Sequence, residues 1–551
     1  METTRHPLVR RVLATGTAIA IGLVGLSGTA WATEPSFGNI DTTVSDGKIT
    51  LHKHIEQTGA VVTGDPSGTP GVASKAIEGV EFTLYKVKDL DLTQFAGWEN
   101  LSQATVSATC DKLTVDTKDY TTEKIKAVKT TAEGIAVFSG LSVAAYVACE
   151  TDTSGAKIDG QATTVVAKAA PFLVTLPYPD TTDPTPSGTW LYDVHAYPKN
   201  SVATAKKTID QQTAYGLGAV VTFPVTTEIP TISADKLFAF YWVQDDLDVR
   251  LGDVKVEKVL LDGAALTATD DYTVAIINNK VTMVLTNKGL AKAWAKQGKQ
   301  IITTFSGTVT KLDTDGQASG VIKNTAKLYV DTYTNPNPPT PPTPDNPPEP
   351  PNPPTPPTPD QPTPPEPPVP PVPTNEVTTN WGDARILKYD ANDTASKKGL
   401  AGAKFKVYNG KGTPGACLAE KSDNQAVTTA AVPTGEFTSN DAGLVAIDGL
   451  YVSDSVNGIA NAQSRCYVLE EIAAPAGYTM PANTLTSLEV RIGKTAEASY
   501  DLEVPNTKQN VPQLPLTGAN GELLLTIGGA SVILLAVGSA FVVHRRRQQI
   551  S

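Results

Sequence analysis

Forty consecutive residues, Asn335 to Thr374, are built on proline, with Thr, Asp, Glu and Asn between, in repeats such as Pro-Pro-Thr-Pro-Pro-Thr-Pro-Asp. Proline supplies no backbone donor and fixes φ, so this stretch forms neither sheet nor helix, and polyproline II is the ordered state left to it. At about 3.1 Å per residue it would reach on the order of 120 Å, which predicts a stiff spacer, with a ligand for proline-reading domains as the functional alternative. A second proline-containing strip, Tyr178 to Pro186, reads as a surface loop.

The folded units must lie outside that run, and they read as strand. Ile49-Thr50-Leu51-His52-Lys53, Val80 to Tyr85, Ala219 to Phe223, Val281 to Leu285 and Ala403 to Tyr408 are short, rich in β-branched or aromatic residues, and mostly bounded by Gly, Asp, Asn or Pro. The expected class is all-β, a tandem of immunoglobulin-like sandwiches. One helical stretch, Gly289 to Gln297, sets Leu290, Ala293 and Trp294 on a single face and is expected as a crossover on the middle sandwich.

Both ends carry processing signals. Arg5, Arg10 and Arg11 precede the apolar stretch Val12 to Leu26, and Ala30-Trp31-Ala32 offers the small residues that a signal peptidase reads, so cleavage is expected after Ala32; an uncut signal anchor is the alternative. Leu523 to Val543 is an apolar run without a charge, long enough to cross a bilayer, and Arg545-Arg546-Arg547 would hold its tail in the cytoplasm. The expected layout is a leader at 1–32, domains at 33–200, 201–334 and 375–510, the proline segment at 335–374 and a sorting segment at 511–551.

A net charge of −12 and a pI near 5.1 argue against nucleic acid and anionic lipid as partners. The four cysteines fall as Cys110 with Cys149 and Cys417 with Cys466, one pair in each outer third, which in an exported chain suggests two disulfides within domains. The outer thirds also echo one another. Ile77 to Tyr85 aligns with Leu400 to Tyr408, and Gly134, Phe138, Gly140 and Leu141 match Gly443, Ile447, Gly449 and Leu450. This is a diverged domain repeat.

Leu514-Pro515-Leu516-Thr517-Gly518, followed by the apolar run and the Arg cluster, resembles a Gram-positive cell-wall sorting signal. The resemblance implies that a sortase cuts Thr517-Gly518 and takes the Thr517 acyl group; an ordinary tail-anchored protein is the plainer reading of the same segment. Tyr467 to Tyr478, containing Glu470 and Glu471, is similar to the acid box of collagen-adhesin B-type domains in sortase-assembled pilins, with Ile472 where Thr is usual. In that family a first-strand Lys and a last-strand Asn condense into an isopeptide with help from the boxed acid, which by resemblance assigns Lys388, Asn506 and Glu471.

The segment Tyr241 to Leu251 looks like the Asp-x-Leu-Asp stretch of collagen-adhesin A-like domains and implies Lys207, Asp245 and Asn324, with Lys206 as rival nucleophile because strand phase is open. In the first domain Tyr146 to Thr151 is a shortened acid box implying Lys53, Glu150 and Asn200; a first domain without a crosslink is the alternative. The chemistry explains the residue types. Burial neutralises a Lys amine and keeps a neighbouring carboxyl protonated, and that acid is expected to polarise the amide carbonyl and shuttle protons so that ammonia leaves.

Trp190 to Lys199 closely resembles the motif Trp-x-x-x-Val-x-Val-Tyr-Pro-Lys of sortase-polymerised backbone pilins, departing at Ala196. The resemblance makes Lys199 the acceptor of the Thr517 acyl group of the next subunit, and such head-to-tail joining does not close, so it builds a filament. Implied partners are a pilin-specific and a housekeeping sortase, identical subunits, minor pilins, peptidoglycan and a host or bacterial surface ligand whose identity is open. No cofactor or metal is implied. A monomeric wall-anchored adhesin or minor pilin is the rival within the structural class. A wall-anchored hydrolase is the rival outside it, disfavoured because only His52, His54 and His195 remain after processing and no Cys-x-x-Cys occurs.

Overall fold

A computed structural model describes residues 39–56, 64–68, 74–180, 189–233, 235–316, 319–335, 341–358, 366–511 and 519–548. The expected leader and the Leu514 to Gly518 motif lie outside them. Three β-sandwiches follow one another along the chain, and both disulfides form as paired, Cys110–Cys149 and Cys417–Cys466.

In the first sandwich strand Gly47–His52 runs antiparallel to Ile135–Leu141 and parallel to Asp193–Ala196, and faces a six-stranded sheet that includes Glu81–Val87, Ala144–Asp152 and Phe172–Leu176. Ile49, Leu51, Phe82, Leu84, Phe138 and Tyr146 fill the space between. Strand Ala144–Asp152 is buried on both faces. Tyr146 and Ala148 enter the main core, while Ala145, Val147 and Cys149 meet a second apolar cluster around Leu113 and Val115.

The middle sandwich pairs Val220–Glu228, Gln300–Val309 and Leu251–Leu261 in one sheet with Lys236–Asp246, Lys280–Leu285 and Ala326–Thr334 in the other. The helix spans Asn287–Trp294, starting ahead of the expected Gly289 because Thr286 caps it, its side-chain oxygen accepting the Gly289 N–H at 3.2 Å. Leu290 and Ala293 enter the core, as their spacing predicts. In the last sandwich Val377–Asp390 lies between Val321–Asn324 and Leu444–Asp454 and also pairs in parallel with Leu502–Asn506. Ser464–Ala473 and Lys404–Thr413 form the centre of the facing sheet.

The proline segment is not an extended spacer. It returns to the strand it leaves. Val372–Pro373 pairs with Leu328 and Lys327 at the beginning of strand Ala326–Thr334, so both ends of the segment sit on one strand of nine residues, about 30 Å long. The reason is an aromatic stripe on the outer face of the middle sandwich. Phe240, Trp242, Val284 and Tyr329 point away from the core, Val369 packs on them, and Pro353, Pro354 and Pro356 line a groove with Phe240 and Trp242. Glu366 also reaches Lys327 at 3.5 Å and Lys280 at 3.7 Å. The proline rings and Val369 offer apolar surface to these aromatics, so covering them outweighs extension.

Helix Ala519–Gln548 carries the apolar run and is long enough to span a bilayer between Gly528 and Arg546. Its described apolar side chains, such as Leu534 and Leu535, are exposed to the surroundings.

Candidate functional site: three buried Lys–acid–Asn centres and the Lys199 strand

Side-chain alternation decides which residues meet inside each sandwich. Ile49, Leu51 and Lys53 point inward in turn, as do Ala384, Ile386 and Lys388. In the middle domain the same parity selects Lys207, which is 1% exposed, and leaves Lys206 in solvent. The acid strands behave alike. Tyr241, Val243 and Asp245 face the core while Phe240 and Trp242 face the proline segment, and Tyr467, Leu469 and Glu471 face the core while Cys466 turns outward to its disulfide. In the first domain Cys149 turns to the outer cluster and its neighbour Glu150 to the core.

In the last domain Lys388 Nζ donates to Glu471 Oε2 at 2.7 Å and to Asn506 Oδ1, and Asn506 Nδ2 donates to Glu471 Oε1 at 2.6 Å. The first domain repeats this arrangement. Lys53 Nζ is 2.8 Å from Glu150 Oε2 and bonds Asn200 Oδ1, and Asn200 Nδ2 donates to Glu150 Oε1 at 2.7 Å. The Ala169 N–H donates to Asn200 Oδ1 at 2.8 Å, which fixes the amide orientation because an N–H cannot donate to the NH2 group. Each glutamate therefore bridges the amine and the amide nitrogen. The expectation that the acid sits against the amide carbonyl is corrected: that oxygen faces the lysine.

The middle centre differs. Lys207 Nζ bonds Asp245 Oδ2, the same oxygen receives Asn324 Nδ2 at 3.4 Å, and the buried Asp245 Oδ1 and Asn324 Oδ1 have no hydrogen-bond partner among the described residues. The shorter aspartate touches both groups with one oxygen where glutamate uses two.

Burial dominates the electrostatics. It pushes the Lys53 amine down to about 8 against the opposing pull of Glu150. Burial likewise lowers Lys207 and Lys388, and it raises Asp245, so the middle centre favours a neutral amine beside a protonated acid. A phenylalanine ring lies under each lysine nitrogen: Phe82 at 5.5 Å from Lys53, Phe223 at 5.2 Å from Lys207 and Phe405 at 5.6 Å from Lys388. These rings help keep water out. Phe82 and Phe405 occupy the same place in the domain repeat, a signal that could have marked them.

Two further residues escaped sequence reasoning. Arg250, fully buried, donates to Asp248 Oδ2 at 2.7 Å and to the Val321 carbonyl at 2.6 Å, so it ties the Asp-x-Leu-Asp stretch to the strand that carries Asn324. Asn375 bonds the backbone of Lys207.

Lys199 opens strand Lys199–Ala203, opposite His54 in a parallel pairing, and is half-buried. The next residue, Asn200, turns into the first buried centre. Ahead of Lys199, Tyr197 stacks on His52 at 4.7 Å between centroids, and His52 Nε2 lies 2.7 Å from His195 Nδ1. The Pro66 carbonyl accepts the His195 N–H at 2.8 Å. Trp190, at the start of the motif, packs on Trp98 at 5.3 Å.

Four family descriptions match in chain order: Gram-positive pilin subunit D1, N-terminal domain, over 44–201; Sgo0707 N2 domain over 202–338; prealbumin-like fold domain over 382–507; and LPXTG cell wall anchor motif over 506–549. The fimbrial subunit type 2 of Actinomyces naeslundii is 34% identical over 572 residues, covering 100% of this chain and 99% of its own. The fimbrial subunit type 1 of Actinomyces viscosus is 30% identical, covering 98% and 97%. Among solved structures, the full-length major pilin SpaD of Corynebacterium diphtheriae aligns at 25% identity with a TM-score of 0.58, covering 86% of this chain and 100% of that one. The chain thus belongs to the sortase-assembled pilins of Gram-positive bacteria, as a structural, non-enzymatic subunit anchored to the cell wall in a surface fimbria.

Proposed function

We propose that this shaft subunit is joined to its neighbours through Thr517 and Lys199 and is hardened by three internal isopeptides, Lys53–Asn200, Lys207–Asn324 and Lys388–Asn506. In polymerisation the Lys199 amine attacks the Thr517 acyl group held on a pilin-specific sortase. A secondary amide forms, the bond that holds the acyl group on the sortase breaks, and the terminal subunit passes to peptidoglycan through a housekeeping sortase. The observation that carries this reading is the co-occurrence in one chain of an acceptor motif ending at Lys199 and a donor motif at Leu514-Pro515-Leu516-Thr517-Gly518. Minor pilins and a surface ligand are the further partners it implies.

Inside each domain the neutral lysine attacks the asparagine carboxamide carbon, forming a C–N bond as the bond to the amide nitrogen breaks. The carboxyl contacts amine and departing nitrogen together, so it takes one proton from the first and gives one to the second, and ammonia leaves. Packing supplies near-attack geometry. The buried Lys–acid–Asn contacts support this in all three domains. Replacing Lys199 by Arg tests the linkage, because a guanidinium keeps the charge but is not a competent acceptor. A denaturing gel of wall extract should lose its high-mass ladder while monomer persists; an unchanged ladder would refute Lys199 as acceptor.

A further inference from the structure

The middle sandwich does not complete its own reaction centre. Strand Val321–Asn324, which carries Asn324, has one ladder partner among the described residues, the first strand of the last domain, in the register Val321↔Asn380, Ile322↔Thr379, Lys323↔Thr378 and Asn324↔Val377. The nucleophile is held from the same segment. Asn375 accepts the Lys207 N–H on Oδ1 at 3.0 Å and donates from Nδ2 to the Lys207 carbonyl at 3.0 Å, acting as a strand partner made from a side chain. Beyond Asn324, Thr374 receives the Ala326 N–H on its hydroxyl and returns its own N–H to the Ala326 carbonyl, both at 2.9 Å.

Trp381 closes the arrangement. It is fully buried, and with Val377 it belongs to the core cluster of the middle domain, alongside Ile322 and Val221. Its backbone N–H donates to the Gly320 carbonyl at 2.8 Å, just ahead of the Asn324 strand. The approach is close enough that a Cβ on Gly320, at φ +72°, would come within 2.0 Å of the Trp381 carbonyl oxygen. The other two centres are built within their own domains: Lys388 pairs with Val504 in its own sheet, and Asn200 pairs with Ile55 beside Lys53.

We propose that Thr374 to Trp381, the junction that leads into the last domain, is the positioning element of the middle crosslink, with Asn375 and Trp381 as its principal positioning residues. Before this segment docks, the Asn324 strand lacks a ladder and the Lys207 backbone lacks a partner on that side, so amine and amide are not held at reacting distance. The middle crosslink therefore follows the docking of the last domain, and its closure locks the two domains together. The inference rests on the proposed crosslink reading.

The test follows both crosslinks in the full chain during cell-free synthesis into detergent micelles, quenching samples in acid and counting the Lys207–Asn324 and Lys388–Asn506 branched peptides by mass spectrometry. Asn375→Ala and Trp381→Ala should slow the Lys207–Asn324 peptide by on the order of tenfold or more, the cost of misplacing reacting groups. In Asn375→Ala the Lys388–Asn506 peptide should form at the unmodified rate, showing that the last domain folds. Asn375→Asp, which keeps the acceptor and loses the donor, should fall between. An unmodified Lys207–Asn324 rate in both alanine variants would overturn the proposal. If Trp381→Ala also stopped the Lys388–Asn506 peptide, Asn375→Ala would decide alone, and an unchanged rate there would overturn it. Absence of the Lys207–Asn324 peptide from the unmodified chain would instead refute the crosslink itself and this proposal with it.

Discussion

Cutting the Lys388–Asn506 link should change how far the last domain stretches, by an amount set by the chain it shelters. Strands Val377–Asp390 and Leu502–Asn506 lie parallel, with Lys388 opposite Val504, so tension applied between the middle domain and the C-terminal end pulls them in shear. With the isopeptide closed, force passes from Lys388 directly to Asn506 and bypasses the 118 residues of separation between them. With Lys388→Ala those residues join the load path, and at about 3.6 Å each their full extension approaches ~420 Å. The Cys417–Cys466 bridge keeps back 49 of the 118, leaving 69, or ~250 Å at the same ~3.6 Å per residue. Single-molecule stretching of Lys388→Ala should therefore show a last-domain step of ~250 Å in oxidising buffer and ~420 Å after reduction, the two lengths set by the extended chain. The unmodified protein should show neither. The shorter step in the unmodified chain, or its absence from Lys388→Ala, would refute the load-bypass argument.

Other outcomes follow from the same geometry. Intact mass of the reduced chain should fall short by ~17 Da for each ammonia lost, three in all, and Glu471→Ala should restore one; a full sequence mass would refute all three crosslinks. In a first domain left uncrosslinked by Asn200→Ala, Lys53 keeps a depressed folded pKa, so its charge penalty is fully present below about 8 and is relieved as pH rises towards 10.5. Denaturant unfolding should then show that domain gaining on the order of 3 kcal/mol across this window relative to Asn200→Ala/Lys53→Met, and an equal pH response in both would contradict the depressed amine. Trp242→Ala should loosen the proline segment from its sheet and speed proteolytic cleavage within 341–374, whereas unchanged cleavage would refute the aromatic cover.

Much of the candidate site was legible in the chain because the acid boxes sit on strands with strict alternation. Naming Glu471 or Asp245 as inward fixes Tyr467, Leu469, Tyr241 and Val243 on the same face, and the structure brings Lys388 to Glu471, Lys207 to Asp245 and Lys53 to Glu150. The choice between Lys206 and Lys207 needed the actual register, because adjacent residues differ only in phase. The proline segment misled for a related reason. Its composition specifies local conformation but not the aromatic stripe of Phe240, Trp242 and Tyr329 on which it lies, since those residues read equally well as core. Asn375 and Trp381 were illegible because their partners, Lys207 and Gly320, belong to another domain and share no periodic pattern with them. Arg250 was hidden too, since a lone arginine in a polar turn reads as solvent-exposed until the Val321 carbonyl is placed against it.

The central claim, that one chain is both acyl donor and acceptor, is tested most directly on polymer released from the wall and digested with trypsin. Tandem mass spectrometry should find a branched peptide in which the Lys199 side-chain nitrogen carries the segment ending Leu514-Pro515-Leu516-Thr517, with Gly518 absent. A polymer whose Thr517 carbonyl is bonded to another lysine, or to peptidoglycan alone, would contradict the account.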